Sequence, residues 1–233
     1  MGAQWKKKHK EAAADQRGRV FGKLAKEVMM AARAGADPSM NAALRMAIDA
    51  ARKQSLPRDT LQRAIKRGAG LLDGPVQFEL VTYEGFAPHQ VPVIVECLTD
   101  NKNRTASNMR VLFRKGQQGA SGSVSWDFTR CGLIEADPPE GGEDPEEAAI
   151  EAGADDVKPG EEGSSSFITA PNVLGAVTKA LTERGWKTAS SALVWIAKNP
   201  VTVDADKRAD VEAFLDNMDG DDDVQNIYVA LAE

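Results

Sequence analysis

The sequence predicts an α+β fold: an N-terminal three-helix domain followed by two ferredoxin-like α/β domains, the last inserted into the middle one. Three observations carry this. Residues 4–69 place apolar residues at helical spacing, with no alternating run. From Phe78 the period shortens, and strand-like and helix-like segments follow one another to the end. Residues 131–199 read β-α-β-β-α-β, the ferredoxin-like order, whereas the tail after 199 offers only strand, helix, strand. That tail is incomplete alone, and 77–128 supplies strands and one helix. The expected partition is therefore a basic helical domain at 1–75, a discontinuous α/β domain at 76–130 plus 200–233, and an inserted domain at 131–199.

Each element has its own signal. In "GRVFGKLAKEVMMAARAG", Val20, Phe21, Leu24, Val28 and Ala31 share a helical face, and Gly35 follows as a stop. "NAALRMAIDAARKQ" sets Leu44, Ala47, Ile48 and Ala51 on one stripe behind Asn41, a candidate N-cap. "LPRDTLQRAIKRGAG" has Pro57 at its entry and Gly68 at its exit, with Leu61, Ala64 and Ile65 as its buried face. These faces are narrow and alanine-rich, so the bundle core is thin and its polar faces stay exposed. "FELVTYEGF" and "VPVIVECLT" predict strands joined by a turn at "GFAPHQ". "NRTASNMRVLFRKG" predicts a helix. Val124, Trp126 and Phe128 alternate as in a half-buried strand. "CGLIEA", "PEEAAIEAGA", "SSSFIT", "NVLGAVTKALTERG" and "KTASSALVWIAKNP" supply the inserted domain. Val211, Phe214, Leu215 and Met218 mark a late helix, and "VQNIYVAL" a closing strand.

The 233 residues carry a net charge of −6, yet the charge is unevenly placed. Residues 1–70 hold 16 Lys and Arg against 6 Asp and Glu; the remainder holds 13 against 29. Such asymmetry points to a polyanion-binding segment joined to an acidic one. No apolar run reaches the roughly 18 residues a membrane span needs, and the basic head lacks the apolar segment of a secretory signal. Cys97 and Cys131, with His9 and His89, give no metal-ligand spacing. Two reduced cysteines suit the cytoplasm. No nucleophile elbow, zinc-protease motif, P-loop or dinucleotide fingerprint occurs, so a non-enzyme without cofactor or metal is expected.

Two segments are candidates for binding. The first is the basic head, Lys6, Lys7, Lys8, Lys10, Arg17, Arg19, Lys23 and Lys26, joined by Arg63, Lys66 and Arg67. Cations on a small bundle bind phosphate by releasing counterions, without reading bases. The competing reading is a solvated helix face. Trp5 beside the lysines would either stack on a base or pin the N-terminus to the bundle. The second is "LTDNKNRTASNMR", where Asn101, Asn103, Arg104 and Thr105 gather at a strand end and helix start. A helix N-terminus attracts anions, although a plain structural cap fits as well. The acidic run "DNMDGDDDVQN" fails as a calcium loop, since Leu215 stands where a ligand is required and Asn226 where Glu is required. It is expected to be a solvated turn.

The segments "GAQWKKKHKEAAADQRGRVFGKLAKEVMMAARAGADP", "AIKRGAG", "YEGF", "TDNKNRTASNMRVLFRKG", "GSVSWDF" and "DDDVQNIYVAL" resemble the YebC/PmpR family over essentially the whole chain. The resemblance implies a three-domain, non-enzymatic cytoplasmic protein. It also implies DNA-binding transcriptional regulation, or alternatively action at the ribosome, as for the related mitochondrial translational activator of cytochrome oxidase, which would help translation through proline runs. DNA or ribosomal RNA is the implied partner. By matching position, the implied contacts are Trp5, Lys6, Arg17, Arg19, Lys23, Arg63, Lys66, Arg67, Asn103, Arg104 and Thr105. The sequence departs from the family at Ala3-Gln4, at the turn "YEGFAPHQ" and in a shorter loop before "GSV".

Overall fold

The computed structural model describes residues 15–72 and 77–232. The chain divides into two compact units, Met1–Phe128 with Ala197–Glu233, and Thr129–Ile196. Its helices are α1 (Asp15–Ala32), α2 (Ala42–Lys53), α3 (Arg58–Gly68), α4 (Lys102–Leu112), α5 (Pro145–Ala152), α6 (Leu174–Glu183) and α7 (Ala205–Asp219). Its strands are β1 (Glu79–Ala87), β2 (Val91–Thr99), β3 (Gln117–Gln118), β4 (Phe128–Asp137), β5 (Asp156–Pro159), β6 (Ser165–Thr169), β7 (Lys187–Ala197) and β8 (Val224–Val229). The architecture is mixed α+β, three N-terminal helices followed by two antiparallel sheets.

In the first unit, α1–α3 enclose Val28, Ala32, Leu44, Ile48, Ala51, Leu56, Leu61 and Ala64. Small residues let the helices approach closely. A Cβ added at Gly68 would collide with the Met29 backbone of α1, so α1 and α3 touch main chain to main chain. Asn41 is the N-cap of α2: its Oδ1 accepts from the Leu44 N–H at 3.0 Å. Its Nδ2 donates to Ala31 O and Gly35 O, at 2.8 and 2.9 Å, stitching the end of α1 to the start of α2.

The first sheet has the order β3-β1-β2-β8. β1 and β2 form a hairpin in register from Glu79↔Thr99 to Ala87↔Val91. Every residue of β2 is buried, which explains its continuous apolar run. The Pro88–Gln90 turn holds His89 and Gln90 at φ of 64° and 60°. α4 and α7 cover the sheet around Val93, Val95, Met109, Phe113, Val211, Phe214 and Leu215.

In the second unit the sheet order is β5-β6-β4-β7, with Ile134, Ala148, Phe167, Leu181 and Trp186 in its core. Trp186 meets Phe167 edge-on at 5.0 Å, and its Nε1 donates to Glu143 at 2.6 Å. Asp144 caps α5, and Gly153 ends it at φ 80°.

One local expectation is corrected. The Val124, Trp126, Phe128 alternation is not a strand: Ser125–Asp127 is a single 3₁₀ turn. Val124 is buried while Trp126 is 69% exposed, and β4 begins only at Phe128. The cause is distant in sequence. The buried Glu84 carboxylate on β1 accepts from the N–H groups of Gly122, Val124 and Ser125, at 2.8, 2.9 and 2.9 Å. Those donors are thereby satisfied without a partner strand.

Candidate functional site

Trp5, Lys6, Lys7, Lys8 and Lys10 lie outside the described residues. Arg17 and Arg19 are exposed at the start of α1. Arg19, Lys23 and Lys26 recur at helical spacing, so one face of α1 carries all three. That face is turned toward the chain's own acidic loop. Lys23 Nζ lies 2.7 Å from Asp219 Oδ1. Lys26 Nζ donates to Asp222 O at 2.6 Å, to Leu98 O at 3.2 Å and to Asp223 Oδ1 at 3.2 Å. The Arg19 guanidinium sits beside Gly220.

The acidic run is therefore not the solvated turn its composition suggests. Asp223 is 4% exposed. Its Oδ2 lies 2.8 Å from Arg104 Nη2 and 2.9 Å from Thr105 Oγ1. Its own N–H donates to Asp221, which in turn accepts from Asn108 at 3.0 Å. Burial pushes the Asp223 carboxyl up, but Arg104, Thr105 and Lys26 together outweigh this and hold it below the usual carboxylate range. The run looks soluble by composition because its partners lie more than 100 residues away in sequence.

These contacts sort the second candidate cluster. Asn101 is the N-cap of α4, accepting from the Arg104 N–H at 3.1 Å. Asn103 is exposed. Arg104 is half exposed and bridges Asp223 to Asp100. Thr105 is fully buried, so it offers a ligand no surface and acts by positioning Asp223. The cationic start of α4 is met by an anion from within the molecule.

α3 differs. Arg63, Lys66 and Arg67 are exposed, and Arg63 Nε donates only one turn back, to Asp59 O at 3.3 Å. Lys66 and Arg67 occupy the last turn, where the helix dipole favours cations. Among the described residues neither has an acidic partner. Arg45, Arg52 and Lys53 on α2 are exposed too. They were not singled out by sequence, although the same charge excess includes them. Glu84 and Trp126 were also missed as a pair, because their relationship is non-local.

Among the described residues no group of three or more His, Cys, Asp and Glu side chains is placed to hold a metal ion. No helix among them is long and apolar enough to cross a membrane.

Comparison with known proteins bears on this arrangement. The chain is 61% identical over 233 residues, the whole of both chains, to a protein of Pseudomonas syringae pv. tomato named "Probable transcriptional regulatory protein". A protein of the same name from Polaromonas is 58% identical over 236 residues, again across both full lengths. One from Bdellovibrio bacteriovorus is 51% identical, covering 99% of this chain and all of that one. The crystal structure of a conserved hypothetical protein from Aquifex aeolicus superimposes with a TM-score of 0.78 at 41% identity, covering 97% of this chain and 94% of that one. The family model for the TACO1/YebC N-terminal domain matches residues 1–71, and that for the second and third domains matches 78–231. The chain belongs to the TACO1/YebC family.

Proposed function

We propose that this protein is a non-enzymatic, cytoplasmic regulator of gene expression that binds nucleic acid through the exposed cations of its helical bundle. One observation carries the reading. Arg63, Lys66 and Arg67 stand exposed at the end of α3, while Lys23, Lys26 and Arg104 are engaged internally. The set expected to meet phosphate is therefore Arg17, Arg63, Lys66 and Arg67, with Asn103 at the margin, while Arg19 shares the α1 face turned to the acidic loop. Lys23 and Thr105 act as internal supports. The relatives' names, probable transcriptional regulators, agree with a regulatory role.

Phosphate contacts supply affinity but little sequence information. DNA and ribosomal RNA are thus both fitting polyanions. RNA is favoured by the exposed Trp126, whose flat face suits an unpaired base better than a stacked duplex; a part in relieving stalled translation is the matching role. Sedimentation of the intact protein with ribosomes, beside duplex-DNA binding at the same salt, separates the two. Co-sedimentation that survives salt sufficient to abolish DNA binding selects the ribosome. Binding to DNA alone selects transcription, and binding to neither contradicts the proposal.

A further inference from the structure

Trp126 is a large aromatic ring held out to solvent by a loop that several hydrogen bonds tie down. The bonds start at Glu84, which is 7% exposed and accepts from the N–H groups of Gly122, Val124 and Ser125. Gly119 N–H adds a bond to Glu84 O at 2.9 Å. On the far side, Asp127 accepts from Asn199 Nδ2 at 2.8 Å, and its carbonyl accepts from the Lys198 N–H at 2.9 Å. Lys198 Nζ donates to the carbonyl of Trp126 itself at 2.8 Å. The ring's own Nε1–H donates to Ser123 O at 3.0 Å.

These bonds decide what the ring can offer. Its one polar group is already satisfied, so only the π face remains. Its direction is fixed, so little conformational entropy is lost when something settles on it. An ammonium group is anchored at its backbone. The loop residues that precede it, 119–123, are small or polar. A protein hot spot is an anchor ringed by further contact surface. A tethered aromatic that offers only its face, beside a cation, matches a nucleobase with its phosphate.

We propose that the Trp126 loop is a second nucleic-acid contact, in which the indole face stacks on an unpaired base while Lys198 faces the adjoining phosphate. This rests on the reading of the chain as a nucleic-acid binder and adds that single-stranded or bulged segments are preferred. The stack needs no base identity, because every base presents a π face.

The test uses the full chain, a short oligoadenylate and a duplex of matched phosphate number. Oligoadenylate is expected to quench tryptophan fluorescence of the wild type. Trp126→Phe removes that quench but keeps most of the affinity. Trp126→Ala lowers oligoadenylate affinity about tenfold and leaves duplex affinity unchanged, with the thermal midpoint unaltered because the ring is exposed. Glu84→Gln keeps the ring but loosens its clamp, and is expected to give an intermediate loss. Unchanged oligoadenylate affinity in Trp126→Ala overturns the proposal. If reversal of Arg63, Lys66 and Arg67 still abolishes binding in that case, the phosphate reading survives alone. If neither set of changes alters binding, both fall. Loss of a protein contact in Trp126→Ala, with oligoadenylate affinity intact, also overturns it.

Discussion

Arg104 Nη2 and Asp223 Oδ2 lie 2.8 Å apart across 119 positions of sequence. This pair joins the start of α4 to the loop before β8, and Lys26 of α1 reaches the same carboxylate. One buried acid therefore ties the helical bundle to the first sheet. The residues that looked most like an anion site are the ones that neutralise it.

Removing Asp223 is expected to destabilise the fold more than removing Arg104. Asp223→Ala leaves the buried Thr105 hydroxyl and the Lys26 ammonium without their shared acceptor, at a cost of about 2 kcal/mol. Arg104 is half exposed, so Arg104→Ala costs less, about 1 kcal/mol after solvent screening. Urea unfolding of the two variants beside wild type measures the order. Equal or reversed losses would show that the acid is not the hub.

Asp223 and Glu84 also set an acid limb. For both, burial raises the pKa but hydrogen bonding more than compensates, so the folded values lie below the ordinary ones. A depressed folded pKa means stability that is complete above the unfolded values, about 4. It is lost as pH falls through the folded values. Thermal midpoints measured between neutral and acid pH are expected to decline along this limb. In Asp223→Asn and Glu84→Gln the decline is shallower, and the neutral-pH midpoint is lower.

Gly68→Ala opposes two known effects. Alanine gains up to about 1 kcal/mol of helix propensity over glycine. Here its Cβ enters the space of the Met29 main chain, which cannot rotate away, and overpacking costs about 1–3 kcal/mol. A net loss in thermal stability is expected. A net gain would show that α1 and α3 do not meet as described.

Cys97 on β2 is buried against Met109 of α4, and its thiol is pushed up to about 12, first by burial and then by Asp221 and Asp223. Burial raises Cys131 as well. The native protein is expected to react slowly with a disulfide reagent at mildly alkaline pH. Both thiols should titrate at once in denaturant. Rapid native reaction of Cys97 would contradict its placement.

What was legible in the sequence was local. The Asn41 cap, the Pro57 entry and the apolar stripes of α1–α3 follow from neighbours within a few residues. So do the strands and helices of 131–199. What was illegible depended on distant partners. The 124–128 alternation resembles a strand until Glu84 supplies its acceptors from β1. The acidic run resembles a solvated turn until α1 and α4 bring Lys23, Lys26 and Arg104 to it. Thr105 stands beside Arg104 in sequence, but only the packed structure shows that it is wholly buried. Charge counting found the basic segment and could not divide its cations into engaged and exposed ones.

The salt dependence of binding reports that division. Charge reversal of Arg63, Lys66 and Arg67 should weaken binding to duplex DNA or ribosomes by more than about 100-fold and flatten the plot of log affinity against log salt by roughly three contacts. Neutralising Lys23 and Lys26 should lower stability while leaving that slope nearly unchanged. An unchanged slope in the α3 variant, or a slope that falls only when Lys23 and Lys26 are neutralised, would contradict the account.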